Sequence, residues 1–107
     1  MAVTTLEDKV YLNDIGTGFR GTFKEDDTAV DISAAVTKTI KFEKPDGTTM
    51  LKVGSFVTDG TDGLLEYKSI DNDLDTSGNW RIQGYVDLVT WKGHSEIVNF
   101  KVYDYLT

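Results

Sequence analysis

The chain contains no cysteine, one proline, one histidine and no long apolar run. The absence of cysteine and the absence of a long apolar run each exclude a class of protein. Without cysteine there is no disulfide framework and no thiol nucleophile, so the 107 residues must be held together by packing and hydrogen bonds. No apolar stretch approaches the ~18 residues of a membrane-spanning helix, and the N-terminus lacks the basic and apolar regions of a secretory signal. We therefore expect one domain, residues 1–107, made in the cytoplasm.

The chain also has few basic residues, since it contains 18 acidic and 11 basic residues and its formal net charge is −7. Binding to nucleic acid requires a positive surface against the phosphate backbone, and binding to anionic membranes requires basic clusters. We therefore expect neither nucleic acid nor a membrane as a partner. The acidic surface is expected to serve solubility.

The most informative stretch is Val36 to Met50, where apolar and polar residues alternate up to the turn signal Pro45-Asp46-Gly47. Side chains of a strand point alternately to opposite faces, so this stretch predicts a half-buried strand that reverses at the turn. The strand that follows from Thr48 is expected to pair back onto it. A change of phase near Gly54 predicts a β-bulge there.

Similar alternation recurs along the chain, and no segment shows convincing helical periodicity. Phe19 and Phe23 are expected to face inward, and residues 1–8 are expected to form a loose N-terminal arm. Seven or eight strands separated by turns predict an all-β fold, an antiparallel β-sandwich. The predicted core consists of Ile40, Phe42, Trp80, Ile82, Val86, Val98, Phe100 and Val102.

The strongest candidate for a metal site is the run Asp71, Asp73 and Asp75, whose spacing matches the first three ligand positions of a calcium loop. The match then ends, because Thr76 replaces the expected glycine and Ile82 replaces the expected glutamate. Short acidic side chains that hydrogen-bond nearby backbone explain the run equally well, and we favour that interpretation. We therefore predict no bound cofactor and keep the three aspartates as a weak metal candidate.

Other candidate chemistry is sparse. Asp59 and Asp62 lie in a glycine-rich turn, where turn chemistry accounts for them, and His94 lies in a predicted hairpin turn. No serine lies in a G-x-S-x-G context, and no glycine-rich phosphate loop precedes a helix. Because no activated nucleophile or acid–base pair can be named, the sequence does not predict an enzyme.

Aromatic residues outside the predicted core suggest an interaction surface. Trp80 shares the parity of the buried positions, whereas Tyr85 and Tyr103 lie on the opposite parity. Exposed aromatic side chains on one sheet face are typical of binding surfaces. The predicted interaction surface comprises Arg81, Gln83, Tyr85, Trp91 and Tyr103. Tyr105 and these aromatic residues could also stack on sugar rings.

Several segments together resemble a known family. They are Asp31-Ile32-Ser33, the turn Lys44 to Thr48, the segment Val57 to Tyr67, the segment Leu74 to Trp80 and the terminal strand Phe100 to Tyr103. This combination resembles the small immunoglobulin-like domain of baseplate upper proteins, and of related short virion proteins, in tailed bacteriophages. The resemblance implies an immunoglobulin-like sandwich with a structural or docking role in the virion, and it implies no catalytic residue.

Two functions therefore follow as expectations. The first is a non-enzymatic virion module of the tail or baseplate that binds other virion proteins or its own copies through sheet edges and exposed aromatic residues. The alternative is a carbohydrate- or cell-surface-binding module, with calcium as a possible aid.

Overall fold

The structure, a computed structural model, describes residues 3–5 and 10–105. Within these residues every regular element is a β-strand, and no helix is long and apolar enough to cross a membrane. Strands outnumber the predicted seven or eight because several contain only two or three residues. The strands are β1 (Val3–Thr5), β2 (Val10–Tyr11), β3 (Gly18–Thr22), β4 (Lys24–Glu25), β5 (Thr28–Ala29), β6 (Thr37–Glu43), β7 (Thr49–Val53), β8 (Ser55–Phe56), β9 (Leu64–Lys68), β10 (Gly78–Asp87), β11 (Lys92–His94) and β12 (Val98–Tyr103).

Two sheets make up the body of the fold. The smaller has the order β1-β3-β9-β8, and the larger has the order β2-β12-β10-β6-β7 with β11 added to β10. In chain order these match the ABED and GFC sheets of an immunoglobulin sandwich, with β7 in the position of strand C′. The predicted all-β, immunoglobulin-like sandwich is therefore confirmed. One detail differs, because β2 pairs with β12 in parallel, whereas the prediction was antiparallel throughout.

The two sheets meet in a core of aromatic rings. The ring centroid of Phe19 on β3 lies 5.1 Å from that of Phe42 on β6 and 5.1 Å from that of Phe100 on β12. Trp80 on β10 is fully buried beside them. Since Phe19 belongs to the smaller sheet and the other three to the larger one, these contacts join the two faces of the sandwich.

The predicted core is largely confirmed. Six of its eight members are buried: Ile40, Phe42, Trp80, Ile82, Val86 and Val102. Val98 and Phe100 are only half-buried and pack against the core. Both belong to the first part of β12, which lies at the sheet margin because β2 pairs only with Val102 and Tyr103. Phe19 and Phe23 face inward as predicted.

The predicted hairpin is present as β6 and β7. The Gly47 N–H donates to the Lys44 carbonyl at 2.9 Å, and Gly47 has φ of +87°, which favours glycine. The Asp46 carboxylate accepts a hydrogen bond from the Thr48 N–H at 3.0 Å, which fixes the far side of the turn. The strands then pair from Glu43 with Thr49 onward.

The bulge predicted at Gly54 is instead a crossing between the sheets. β7 ends at Val53 in the larger sheet, and β8 begins at Ser55 in the smaller one. A Cβ atom on Gly54 would lie 2.6 Å from the Cγ atom of Leu65, so the crossing needs a residue without a side chain. The change of strand between sheets explains the change of phase in the sequence.

A tryptophan closes the connection between β9 and β10. The Trp80 indole N–H donates to the Thr76 carbonyl, four residues upstream, at 2.9 Å. Immunoglobulin folds often use a tyrosine hydroxyl near the start of the equivalent strand for a similar bond to the upstream backbone. Trp80 therefore combines core packing with fixation of the loop.

The predicted loose arm is a strand in part. Val3–Thr5 forms β1, which pairs antiparallel with β3 from Val3 with Gly21 to Thr5 with Phe19. The remaining residues of the predicted arm lie outside the described residues.

Candidate interaction surface

The larger sheet has one face toward the core and one face away from it, here called the outer face. Strand register places Glu43 between Thr49 and Arg81, and Thr39 between Val53 and Tyr85. The outer face is formed by Thr39, Lys41, Glu43, Thr49, Leu51, Val53, Arg81, Gln83, Tyr85, His94, Asn99, Lys101 and Tyr103. Four of the five residues predicted for the interaction surface lie on this face, three of them on β10 and Tyr103 at a distance from them.

Two of these four are held in place by neighbouring groups. The Arg81 Nε atom lies 2.7 Å from the Glu43 carboxylate, and the hydrogen bond from Arg81 lowers the pKa of Glu43 below its usual value. The Gln83 amide donates to the Ser95 carbonyl at 2.9 Å. Both side chains are therefore ordered before any partner arrives, which reduces the entropy lost on binding.

The two predicted tyrosines lie far apart on this face. The Tyr85 ring centroid is 4.8 Å from that of His94, and the Tyr103 ring lies 4.8 Å from the Lys101 ammonium. Gly78 pairs with Val102, so Tyr103 lies about eight residue steps from Tyr85 along the sheet, or ~26 Å. A single sugar ring cannot contact both tyrosines.

Trp91 does not lie on the outer face. Gly93 pairs with the buried Val86, and a Cβ atom on Gly93 would lie 2.3 Å from the Trp91 ring. The ring therefore packs on the inner side of the sheet, where it contacts the edge of the core. The turn between Leu88 and Trp91, closed by a 2.7 Å bond from the Leu88 N–H to the Trp91 carbonyl, changes the direction of this side chain.

Exposed apolar residues on β7 were missed by sequence reasoning. Leu51 is 61% exposed and Val53 is 71% exposed, while Lys52 between them points to the inner side. Alternation alone cannot say which parity of such a strand is buried. The inward direction of Lys52 is explained by the buried Asp73, whose carboxylate lies 2.9 Å from the Lys52 ammonium. Because this contact joins distant parts of the chain, the pattern within β7 does not reveal it.

A shallow groove of about 170 Å³ crosses the outer face. It is lined by Lys41, Glu43, Thr49, Arg81, Ile82, Gln83 and Ile97. Arg81 and Glu43 are paired with each other, and the Lys41 ammonium and the Thr49 hydroxyl also line the groove. The groove gives the outer face a concave area beside the pair of Arg81 with Glu43.

Of the three aspartates of the weak metal candidate, Asp71 is exposed in a turn, and the other two make contacts of their own. Asp73 is buried and accepts hydrogen bonds from the Tyr67 hydroxyl and from the Ile70 N–H, besides its ion pair with Lys52. Asp75 lies 2.9 Å from the Lys44 ammonium. No group of three potential metal ligands converges within residues 3–5 and 10–105.

The Asp73 carboxylate is the most enclosed acid of the site. Burial alone would raise the pKa of Asp73, but the Ile70 N–H, the Tyr67 hydroxyl and Lys52 outweigh it and hold the pKa below its usual value. The pKa of the Tyr67 hydroxyl is raised, mainly by burial and also by its hydrogen bond to the Asp73 carboxylate. This network ties β7 and β9 to the loop before β10.

The remaining acidic candidates act as turn residues. The Asp59 carboxylate accepts hydrogen bonds from the Thr61 N–H at 3.0 Å and from its hydroxyl at 2.6 Å. Asp31 with Ser33 and Asp46 with Thr48 repeat this arrangement. Asp62 similarly accepts hydrogen bonds from its own segment.

Comparison of the sequence with models of known protein families and with curated proteins finds no match. The case for a function therefore depends on the chain's own residues and topology.

Proposed function

We propose that the chain is a non-enzymatic docking module of a tailed-bacteriophage virion, in the tail or baseplate, where it binds other virion proteins or its own copies. Two observations support the proposal. The sequence segments described above resemble those of baseplate immunoglobulin-like domains, and the strand order is of the immunoglobulin type. A fold alone does not define a function, so the residues of the outer face must supply the binding specificity.

The observation that carries the proposal is the pre-ordered outer face. Arg81 and Tyr85 lie on one strand, four residues apart, and each is held by a neighbour, Glu43 and His94 respectively. Arginine and tyrosine are the residue types most enriched at the centres of protein interfaces. Exposed aliphatic side chains on β7 border the same face.

A carbohydrate-binding role has less support. Trp80 is buried and Trp91 packs on the inner side of the sheet, so neither tryptophan presents a free ring face on the outer face. Tyr85 and Tyr103 are ~26 Å apart, and the Tyr103 ring packs beside that of Tyr11, with centroids 6.1 Å apart and ring planes tilted by 48°. A calcium-assisted version would require Asp73 and Asp75 to release their lysine partners.

The test measures incorporation of the chain into virions. Particles are assembled with the wild-type chain, with Arg81→Ala/Tyr85→Ala, or with the control Val89→Ala, whose side chain is 91% exposed in a turn away from the outer face. Loss of two central contacts should weaken binding about 30-fold or more, with no loss of melting temperature beyond ~4 °C. Equal incorporation of all three chains would contradict a role for the outer face, and absence of the wild-type chain from particles would contradict the proposed function.

A further inference from the structure

The free edge of β7 has a specific hydrogen-bonding pattern. The Lys44 N–H donates to the Thr48 carbonyl, and the Gly54 N–H donates to the Lys38 carbonyl, at 2.8 and 3.0 Å. In an antiparallel pair, hydrogen-bonded and non-hydrogen-bonded positions alternate, so Met50 and Lys52 bond to β6. The backbone N–H and C=O groups of the other three β7 residues therefore point away from β6, toward the sheet edge.

Those three residues are Thr49, Leu51 and Val53, and their side chains are exposed on the outer face. No acidic residue, proline or bulge protects this edge, although natural sheets usually carry such protection. The only charge on the strand, Lys52, points to the inner side and is neutralised by Asp73. Of the other edges in the described residues, β2 and β8 contain two residues each and β1 contains three, β11 carries Lys92 and His94, and the unpaired part of β12 carries Lys101.

The chemistry of the edge points to its own copy as the occupant. We propose that β7 pairs antiparallel with β7 of a second copy across a two-fold axis at Leu51. This register places Leu51 opposite the second copy's Leu51, and Thr49 opposite the second copy's Val53. Each of these pairs can close two backbone hydrogen bonds, and all the side chains that meet on the outer face are uncharged.

The outward-pointing side chains of β7 carry no charge, so two copies can meet at this edge without repulsion between them. The chain carries a net charge of −7, so contact between two copies through acidic regions is repulsive. On the outer face the charged side chains nearest β7 are Lys41, opposite Leu51, and Glu43, opposite Thr49, and Glu43 is paired with Arg81. The pairing would join two larger sheets into one continuous sheet and leave Arg81 and Tyr85 free for another partner.

This inference deepens the proposed docking function and rests on it, because it assigns the self-association to one edge. A single edge pairing buries less than a standard interface, so a weak dimer is expected, forming between about 10 µM and 1 mM. Sedimentation velocity over that range should show the mass rise from one chain toward two.

Position 51 provides a decisive test, because it alone faces itself across the axis. Leu51→Lys and Leu51→Glu, each examined alone, should weaken dimerisation at least tenfold, since like charges would lie ~5.5 Å apart. An equimolar mixture of the two variants should restore a heterodimer. Val89→Lys and Val89→Glu are the matched controls, and mixing them should change nothing. Leu51 is 61% exposed, so neither variant should unfold the chain.

The outcomes separate this inference from the proposed function. A wild-type chain that stays monomeric at 1 mM, or Leu51 variants that dimerise like the wild type, would overturn the β7 pairing even if the chain is found in virions. Restoration of the heterodimer would establish the pairing even if the chain proved absent from virions, in which case only the virion assignment would fail.

Discussion

Replacement of Phe42 by alanine should be among the most damaging single changes to this fold. The ring is fully buried and lies 5.1 Å from Phe19, 5.9 Å from Tyr67 and 6.4 Å from Trp80, measured between centroids. These neighbours come from both sheets. The two sheets cannot both move into the space without breaking strand pairing, so the cavity would persist.

The expected loss is large relative to total stability. Phenylalanine-to-alanine changes in cores cost about 3–5 kcal/mol, and limited collapse favours the upper part of that range. A domain of this size unfolds with a free energy of roughly 5–15 kcal/mol. A loss of this size should therefore remove a large share of the stability and lower the melting temperature by about 15–30 °C. Phe42→Leu keeps most of the volume and should cost less than about 1.5 kcal/mol.

Urea unfolding monitored by tryptophan fluorescence gives the measurement, because Trp80 lies within the same cluster. Val36→Ala is the control, since Val36 is 72% exposed and its truncation should change the free energy of unfolding by less than about 0.5 kcal/mol. A loss below about 1.5 kcal/mol for Phe42→Ala would show that this ring does not join the two sheets as described.

Three further predictions concern single contacts. Gly54→Ala should cost about 1–3 kcal/mol in denaturant unfolding, because its Cβ would overlap Leu65, and the same change should cost less when it is made in a Leu65→Ala background. Trp80→Phe should cost about 1–3 kcal/mol by leaving the Thr76 carbonyl without its donor, and an unchanged melting temperature would contradict this bond. Asp73→Asn should cost about 2–3 kcal/mol at pH 7. The pKa of Asp73 in the folded chain lies below its unfolded value of about 3.9. The difference in free energy of unfolding between the wild type and Asp73→Asn should therefore be complete above pH 4 and shrink as the pH falls further. A difference that does not change with pH would contradict the ionised network.

Local signals in the sequence were sufficient for part of the fold. The hairpin at Pro45-Asp46-Gly47 depends on contacts between adjacent residues, so turn chemistry predicts it. Alternation along β10 separates buried Trp80 from exposed Arg81, because successive side chains of a strand point to opposite faces. These features are properties of one strand or one turn.

Other features depend on contacts between distant segments and could not be predicted. Lys52 points inward on β7 because Asp73, 21 positions later in the sequence, receives it in a buried site. Gly54 appeared as a bulge because a phase change does not reveal that the chain has moved to another sheet. Trp91 packs inward because Gly93 leaves room for its ring. In each case the side chain's direction is set by a partner outside its own strand.

The most direct test of the proposed function is the copy number of the chain in purified particles. Particles are separated on a density gradient, and peptides of the chain are counted against labelled standards by mass spectrometry. We expect a fixed integer number of copies per particle that is retained after high-salt washing. A chain that is abundant in the infected-cell lysate but absent from particles, or present in a variable fraction that washing removes, would contradict a role in the virion.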